Sequence, residues 1–564
     1  MLRPGPWAKS PALASSLLTT SAGHRDIRPK LDFLHPRDLH ENDRKSALPP
    51  NGSAMQPRPW ARADAKPSGL YALTRIPYGS VLTRRAESQP ERIALICEDE
   101  AISCIALETR ANRLARAFEQ EGVRPGDLVS LVLPNGIHLV SAMLATWKLG
   151  AVPNPLGPGL PAAELSAILD RADPRLVVGA EDRVGPGRAS LPEDFRAPES
   201  LSGDPLPERI APHERALASG GSTGLPKLIL PSAEAVYDSE NRSAFSQARR
   251  VALVPGPIYH AAPFTACFQP LFAGCTVVLM KRFDARRFLE AIQRHRVDRA
   301  TVVPTMMLRI TRLPEAERLA YDVSSLECVM SGGAPLPPWL MEAWIDWLGP
   351  DVMNEVFGPS ERIGGTAITG REWLEHRGSV GRPVGGGRIK ITADDGRELP
   401  PGEMGEIWML PPGGPGSTYQ YRGAEARLDA EGWESVGDMG SLDAEGYLYL
   451  GDRKSDMILC GGRNIYPAEV EAALEAHPRI LSSAVIGLPD DDLGQRIHAI
   501  VEVAEDRTER EPLSLEDVRA WLAERLIAYK HPRSLEQVNH PLRDEAGKLR
   551  RSRLRDERLA RGED

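Results

Sequence analysis

The chain has few cysteines and no long apolar run. Its 564 residues include six cysteines, none of them in a Cys-x-x-Cys pair, which argues against a zinc site or a disulfide framework. We expect these cysteines to be buried thiols of a protein in a reducing compartment such as the cytoplasm. No apolar stretch is long enough to cross a bilayer, so no transmembrane segment is predicted. Lys and Arg number 69 against 78 Asp and Glu, and this acidic balance argues against nucleic acid as a main partner.

Residues 1–65 lack the hydrophobic periodicity of a folded domain. They are rich in Pro, Ser and Arg, and the first acidic residue is Asp26. We interpret them as a disordered extension, although a transit peptide is also compatible with this composition. Met55 is an alternative start of the protein.

The remaining residues predict helices that alternate with short apolar strands. Apolar residues recur at helical spacing at Leu107, Ala111 and Phe118, and Leu128–Leu133 has the continuous apolar character of a buried strand. Asn135 can cap the helix that follows this strand. Such alternation indicates stacked α/β layers with mostly parallel sheets.

The length requires more than one domain. The sequence becomes charged and Gly-rich near Gly451, and we place a domain boundary there, with an N-terminal domain at 66–451 and a small α+β domain at 452–564. Within the second domain, Ser514 followed by two acidic residues predicts a helix that continues to Leu526.

The stretch SGGSTGLPK at Ser219–Lys227 predicts a loop that holds a polyphosphate. Glycines allow backbone N–H groups to approach an anion closely, hydroxyls add donors, and a lysine adds a compact cation. The candidate ligands are Ser219, Gly220, Gly221, Ser222, Thr223, Gly224 and Lys227. The common P-loop is excluded because Pro226 stands before the lysine. Leu228–Leu230 predicts a strand, so the loop joins two strands; a plain Gly-rich surface turn is the alternative.

This loop resembles the phosphate-binding loop of the adenylate-forming superfamily, which includes acyl-CoA synthetases, adenylation domains of peptide synthetases and luciferases. The usual form there is SGTTGxPKG, from which this chain departs in having Gly221-Ser222 in place of Gly-Thr and Leu228 in place of the last glycine. Further stretches resemble the superfamily in order and spacing between about residue 80 and residue 556.

The resemblance assigns roles to several of these residues. Gly332, Gly333, Ala334 and Pro335 resemble the segment that lines the adenine pocket, and Glu355, Phe357, Gly358, Ser360 and Glu361 resemble the motif YGxTE, with Phe for Tyr and Ser for Thr. Glu361, with Thr223, would hold Mg²⁺. Asp438 and Arg453, the latter followed by Lys454, resemble the ribose-binding residues, and Lys548 resembles the lysine of the adenylation step. Taken singly, Asp438 could belong to a plain turn, Glu361 could be a solvated carboxylate and Lys548 one charge of a basic tail.

The superfamily implies a large N-terminal domain of stacked α/β layers with a β-barrel-like subdomain, and a small mobile C-terminal α+β domain. It also implies ATP, Mg²⁺ and coenzyme A as cofactors and substrates. The pivot of the mobile domain would lie at Ser455 or Asp456, and Gly461, Gly462 and Arg463 would face the entrance for pantetheine.

The acid is expected to be hydrophobic. The stretch Pro257–Ala262 has no carboxylate that could pair with an amino group, and an unpaired ammonium is costly to bury. His260 lies where related ligases place an aromatic or His gate, although it could also be a half-buried loop histidine. The loop sequence looks most like a bacterial bile-acid-CoA-ligase-like branch, which implies a fatty, aryl or steroid side-chain acid.

Free CoA is the expected acceptor, because no carrier-protein domain follows Lys548. A stand-alone ligase that loads a separate carrier protein is the main alternative, and an inactive nucleotide-binding module is an alternative of a different class. The protein is expected to be a monomer or a homodimer.

Overall fold

The computed structural model describes residues 75–185, 187–220, 226–240, 250–503, 512–545 and 547–561. All of them belong to one compact unit that spans Pro67–Asp564, and the predicted extension at 1–65 lies outside the described residues. Among the described residues, no helix combines the length and the apolar character needed to span a membrane.

The described residues form the following strands in chain order: β1 (Arg75–Pro77), β2 (Ile93–Cys97), β3 (Glu100–Ser103), β4 (Leu128–Val132), β5 (Val152–Leu156), β6 (Leu176–Val178), β7 (Ser190–Leu191), β8 (Leu217–Gly220), β9 (Pro226–Pro231), β10 (Val236–Asp238), β11 (Val251–Val254), β12 (Thr276–Leu279), β13 (Arg299–Val302), β14 (Cys328–Ser331), β15 (Met353–Phe357), β16 (Thr366–Thr369), β17 (Arg382–Pro383), β18 (Arg388–Thr392), β19 (Gly405–Leu410), β20 (Tyr419–Arg422), β21 (Asp438–Leu442), β22 (Leu448–Arg453), β23 (Ile458–Cys460), β24 (Arg463–Ile465), β25 (Ile480–Asp490), β26 (Gly494–Val503) and β27 (Ser534–Val538).

The α-helices of the same residues are α1 (Tyr78–Ser88), α2 (Cys104–Gln120), α3 (Ile137–Lys148), α4 (Ala162–Ala172), α5 (Ala261–Ala273), α6 (Ala285–His295), α7 (Pro304–Thr311), α8 (Glu315–Arg318), α9 (Pro338–Leu348), α10 (Gly370–Glu375), α11 (Pro467–Glu475), α12 (Leu515–Ala523) and α13 (Arg551–Ala560).

A nine-stranded sheet forms the centre of the N-terminal part, with the order β17-β16-β15-β14-β13-β11-β12-β2-β3. Its middle strands, from β15 to β2, pair in parallel, and antiparallel strands close both edges. A second sheet, β5-β4-β6-β7, is entirely parallel. The predicted stacked α/β layers with mostly parallel sheets are therefore confirmed.

The sequence explains why these elements form. Strand β4 is apolar except for one serine and is buried along its whole length, as expected for a parallel strand that is covered on both faces. Helix α6 begins at Asp284, whose carboxylate accepts a hydrogen bond from the backbone N–H of Arg287. Its buried residues Phe288, Leu289 and Ile292 lie on one face, and they pack against the central sheet.

Two antiparallel sheets, β18-β19-β21-β22 and β20-β9-β8, correspond to the predicted β-barrel-like subdomain. They share one apolar cluster, in which Leu217 and Ile229 meet Ile391, Ile407 and Leu448. The strand pair β21–β22 thus packs beside the β8–β9 hairpin, and this brings distant parts of the chain to the same region.

The C-terminal part is a separate layer of α+β structure. Its sheet has the order β25-β26-β27, and its apolar cluster includes Val470 and Leu474 of α11 together with Val485 and Val501 of the sheet. The small predicted α+β domain is present, while strand β22 runs through the predicted boundary at 451. The boundary itself stays a prediction.

Two predictions about helix ends are wrong. Helix α3 is preceded by Gly136 and has no side-chain cap. Asn135 instead donates from Nδ2 to the carbonyls of Gly256 and Met280, at 3.2 and 2.7 Å, and accepts from the backbone N–H of Ile258 at 3.0 Å. These three hydrogen bonds to distant backbone groups use the side chain of Asn135, which therefore does not cap α3.

The second error concerns the length of α12. Ser514 caps this helix through a capping box with Asp517, but the helix ends at Ala523, before the predicted Leu526. Four of the six cysteines are buried and two, Cys328 and Cys460, are half-buried, so the expectation of buried thiols holds for four of them.

Glu355 is a carboxyl group in the interior of the central sheet. It lies on β15, where it is 4% exposed, between Ser331 of β14 and Ile368 of β16. Burial raises the pKa of Glu355 from 4.5 to about 8, because a low-dielectric environment disfavours the charged form. The folded chain therefore keeps this proton at pH values where the unfolded chain has lost it.

We predict that this group makes the protein less stable as the pH rises from about 4.5 to about 8. In that range the folded state binds more protons than the unfolded state, so the free energy of unfolding falls, by at most about 1.4 kcal/mol per pH unit. Glu355→Gln removes the titration and should flatten this decline, measured as the melting temperature at pH 5.5 and 8.5. An identical pH dependence in both proteins would contradict the assignment.

Candidate active site

The predicted polyphosphate loop joins two antiparallel strands, as expected. β8 and β9 pair in register from Leu217 opposite Ile229 to Gly220 opposite Pro226. Gly221, Ser222, Thr223 and Gly224 lie outside the described residues, so their role stays a prediction. Lys227 and Ser219 lie opposite each other at the base of the loop.

Lys227 is held by a carboxylate and a phenol. Its Nζ lies 3.2 Å from Oε1 of Glu361 and 2.6 Å from the hydroxyl oxygen of Tyr421, and that hydroxyl donates to the same carboxylate oxygen at 2.5 Å. Glu361 is 6% exposed, so it is a paired, buried carboxylate. The alternative of a solvated carboxylate is thereby excluded. The three residues are called the Lys227 cluster below.

The strand register explains how Tyr421 enters the cluster. β20 pairs antiparallel with β9, and Tyr421 lies opposite Ile229, two residues from Lys227. Burial, together with the nearby charge of Glu361, raises the pKa of Tyr421 well above its usual range, so the phenol stays a donor. Sequence reasoning missed Tyr421, because the stretch Tyr419–Arg422 matches no motif and only its position in the sheet identifies it.

Glycines shape the segment after β14. A Cβ atom on Gly332 would lie 2.7 Å from the carbonyl oxygen of Val356, and Gly333 has a φ of +86°. A side chain would collide at the first position and be strained at the second. Because the carboxyl ends of parallel strands share one edge, this segment lies beside the end of β15, where Phe357 is half-buried.

The residue after Glu361 has an unusual backbone. Arg362 has a φ of +58°, which is strained for a residue other than glycine. Its Nη2 lies 2.9 Å from Glu214, whose carboxylate also accepts from the buried Arg215 at 3.1 Å and from Tyr78 at 3.2 Å. This buried charge network fixes the chain directly after Glu361.

Asp438 and Arg453 lie together, as the resemblance implied. They are opposite each other on β21 and β22, and Nε of Arg453 donates to Oδ1 of Asp438 at 3.0 Å. Burial raises the pKa of Asp438, with a contribution from Glu361, while Arg453 opposes the rise. Lys454 points elsewhere, since its Nζ bonds Asp394 at 2.5 Å.

Lys548 lies beside the N-terminal residues of the site. Its pKa is lowered, chiefly because the ammonium is removed from bulk water, although part of the side chain remains exposed. Arg453 and Arg550 lower the pKa further, while the carboxylates of Asp544 and Glu361 raise it. The ammonium is therefore close enough to sense charges from both parts of the chain, which a cation in a solvated tail would not do.

His260 is the residue before α5 and lies near the same lysine. Burial lowers the pKa of His260 to about 4, the positive charges of Lys548 and Arg550 add to this effect, and Asp544 opposes it. The imidazole is therefore neutral at pH 7. Lys548 thus acts on the pKa of His260, and Glu361 acts on the pKa of Lys548.

Gly461 and Gly462 form the turn between β23 and β24, and Arg463 is the first residue of β24. The two glycines have φ values of +57° and +74°, which a tight turn requires. Their described contacts lie within the C-terminal part: Gly461 donates to the carbonyl of Leu493 at 2.9 Å, and the Arg463 guanidinium stacks 4.5 Å from the ring centre of Tyr529. The structure does not bring this turn to the Lys227 cluster.

The Lys227 cluster contains one carboxylate, that of Glu361, which could bind a metal ion. Within the described residues there is no group of three or more His, Cys, Asp or Glu side chains that could hold an ion. Mg²⁺ commonly takes one or two carboxylates together with phosphate oxygens and water. The single buried Glu361, beside the base of a phosphate loop, fits that arrangement.

Comparison with known proteins gives two family matches. Residues 82–419 match the AMP-binding enzyme family, and residues 469–548 match the AMP-binding enzyme C-terminal domain. The second match ends at the predicted adenylation lysine.

Individual relatives cover nearly the same length. The 2-succinylbenzoate–CoA ligase of Bacillus licheniformis is 32% identical over 484 residues, which are 84% of this chain and 98% of the relative. The fatty acid–[acyl-carrier-protein] ligase ScoC of Streptomyces coeruleorubidus is 30% identical over 501 residues, 84% of this chain and 94% of the relative.

A solved structure shares the fold. The O-succinylbenzoate coenzyme A synthetase of Bacillus subtilis, in complex with ATP and magnesium ion, is 28% identical, with a TM-score of 0.70 over 85% of this chain and all of that one. The resemblance to adenylate-forming enzymes is thereby confirmed: the chain belongs to the AMP-binding enzyme family.

Proposed function

We propose that the chain is an AMP-forming acid–CoA ligase that activates a hydrophobic carboxylic acid as acyl-AMP and then transfers the acyl group to the thiol of CoA. The observation that carries the proposal is the junction of Lys227, Tyr421 and Glu361 at the base of the phosphate loop. The charge of Glu361 also acts on Lys548 of the C-terminal part. Cations and a buried carboxylate thus converge at the base of the phosphate loop.

The first step needs this concentration of positive charge. An oxygen of the acid's carboxylate attacks the α-phosphorus of ATP, the bond to the β-phosphate oxygen breaks, and pyrophosphate leaves. Negative charge spreads over the phosphoryl oxygens during the transfer, so positioned cations lower the barrier. Lys548 would bridge the carboxylate and the α-phosphate, and Lys227 would hold the outer phosphates.

His260 has a different role from the lysine. Because its pKa is about 4, the imidazole is neutral at pH 7 and does not compete with Lys548 for the acid's carboxylate. A neutral ring beside the small side chains of Ala261 and Ala262 leaves an apolar entrance for the acid. We propose it as the gate of the acid site.

The magnesium site would be formed by Glu361 and the phosphates, with Thr223 as a second protein ligand. The bound ion would neutralise charge on the phosphates. In the structure, Lys227 forms an ion pair with Glu361 at 3.2 Å.

The second step requires a different arrangement of the C-terminal part. The sulfur of the thiol attacks the acyl carbonyl, AMP leaves, and the thiol proton passes to solvent or a base. The turn Gly461–Arg463 lies away from the Lys227 cluster here. We therefore propose that the C-terminal part reorients near Ser455 and Asp456 between the steps, which carries Lys548 out of the site.

The acceptor is CoA in the first proposal and a carrier protein in the second. The 2-succinylbenzoate–CoA ligase favours the former and ScoC the latter. The burial of four of the six cysteines supports a reducing compartment such as the cytoplasm as the place of action.

We predict that bulky apolar acids are turned over faster than acetate, because each buried methylene contributes about 0.8 kcal/mol. The measurement is pyrophosphate release with acetate, octanoate, cinnamate and cholate, with CoA or with a phosphopantetheinylated carrier protein. Thioester formed on the carrier protein only would replace CoA as the acceptor. A preference for acetate would contradict the hydrophobic substrate.

Lys548→Ala should abolish adenylate formation and spare the conversion of supplied acyl-adenylate to acyl-CoA, because the lysine supplies charge to the first step alone. Both half-reactions are measured separately. Equal losses in the two would show that the lysine does not have this role.

Glu361→Gln should sharply weaken Mg²⁺-dependent turnover, with a loss of about a hundredfold or more in the first half-reaction, since it removes the charge of the metal ligand at nearly constant shape. Titration of pyrophosphate release against Mg²⁺ tests this. A wild-type curve at limiting Mg²⁺ would rule out the metal role. Glu398→Gln, at an exposed carboxylate of the same domain, is the control.

A further inference from the structure

Lys548 lies on a short connection between β27 and α13. Its described residues at 541–545 and 547–550 belong to no helix or strand. A local turn shapes it: the backbone N–H of Lys548 donates to Oδ1 of Asp544 at 2.9 Å, and the N–H of Asp544 donates to the carbonyl of Lys548 at 3.0 Å. Within this turn the backbone of Gly547 approaches the N-terminal part, since a Cβ there would lie 3.0 Å from Oγ1 of Thr305.

The first side-chain contact to the N-terminal part lies three residues before Lys548. The hydroxyl of Tyr259 donates to Oε2 of Glu545 at 3.0 Å. Burial and this carboxylate raise the pKa of Tyr259 well above its usual range, so the phenol keeps its proton. The Tyr259 ring also lies 4.9 Å from the ring of His260, which links the connection to the proposed gate.

The second contact lies two residues after Lys548. Nη1 of Arg550 donates to both carboxylate oxygens of Glu164, at 3.2 and 3.0 Å. Glu164 is in the first turn of α4, where the helix dipole favours a carboxylate. The two contacts therefore hold the connection on either side of the lysine.

We propose that Glu545 and Arg550, through Tyr259 and Glu164, are positioning residues that hold Lys548 in place for adenylate formation. This inference rests on the proposed role of Lys548. Neither residue donates charge to the reacting atoms. Each restricts the connection, so that the long lysine side chain starts from a fixed backbone.

The exposure of the Arg550–Glu164 pair indicates whether it contributes to stability or to the placement of Lys548. The side chain of Arg550 is 52% exposed and that of Glu164 is 30% exposed, and an exposed ion pair adds little to stability. Placement of a catalytic group, by contrast, affects rate strongly. The contacts should therefore influence the rate of the first half-reaction and leave the melting temperature nearly unchanged.

A charge exchange tests the second contact. Arg550→Glu and Glu164→Arg should each lower the rate of adenylate formation about tenfold, and the double variant should recover to within about threefold of wild type, as expected for directly coupled residues. Conversion of supplied acyl-adenylate to acyl-CoA should be unchanged. Arg553→Glu is the matched control, because Arg553 pairs with Glu557 inside α13, and it should behave as wild type.

Recovery of activity in the double variant would distinguish the positioning role of Arg550 from its electrostatic effect on Lys548. Arg550 lowers the pKa of Lys548, so its loss could act on the lysine electrostatically. The double variant leaves a carboxylate at position 550 and restores only the contact. Failure of the double variant to recover would therefore overturn the proposal.

The first contact has its own test. Glu545→Ala should slow adenylate formation, whereas Glu545→Gln keeps an acceptor for the Tyr259 hydroxyl and should remain near wild type. Equal losses in both half-reactions, or a lower melting temperature that accounts for the loss, would overturn the positioning role.

Lys548→Ala distinguishes this inference from the proposed function. If it loses adenylate formation while the variants at 545 and 550 do not, the lysine assignment stands and the positioning role is wrong. If it retains full activity, both are wrong.

Discussion

The buried carboxylate of Glu361 is the interaction on which the site depends. The Glu361 side chain lies in a site where the residue is 6% exposed, and an unpaired charge in such a site is very costly. Lys227 and the hydroxyl of Tyr421 compensate it, and they come from adjacent strands that pair in register. These bonds join β9 and β20 to the segment that follows β15. In the proposed function, the charges of ATP and Mg²⁺ would replace the pairing of Lys227 with Glu361.

The sequence predicted the elements whose cause is local. Strand β4 and helix α2 follow from continuous apolar character and from helical spacing. Several site residues could also be named, because Glu361, Asp438 and Arg453 lie in short stretches that resemble a known family. The structure places these residues in the same region.

Residues whose role is set by tertiary contacts were not predictable. Asn135 has the sequence position of a helix cap, but its amide bonds three backbone groups from other elements. Tyr421 reaches Glu361 only because β20 pairs with β9. Lys454 follows Arg453 in sequence, yet alternation along β22 and beyond sends its side chain to Asp394. No single-sequence pattern contains these pairings.

The contacts around Lys548 bear on the proposed reorientation of the C-terminal part. Three residues after the lysine, Arg551 pairs with Glu471 at 2.7 Å inside the C-terminal part, where Glu471 is buried and the Arg551 side chain is 12% exposed. Breaking such a pair leaves an uncompensated buried charge and is costly. The pair of Arg550 with Glu164 crosses to the N-terminal part and is different, since its side chains are 52% and 30% exposed and water can replace it. Arg312 makes a second crossing contact, through hydrogen bonds to the backbone carbonyls of Glu475, His477, Pro478 and Ile480. The proposed reorientation would therefore break the ion pair at small cost, and the bonds of Arg312 would be the larger cost.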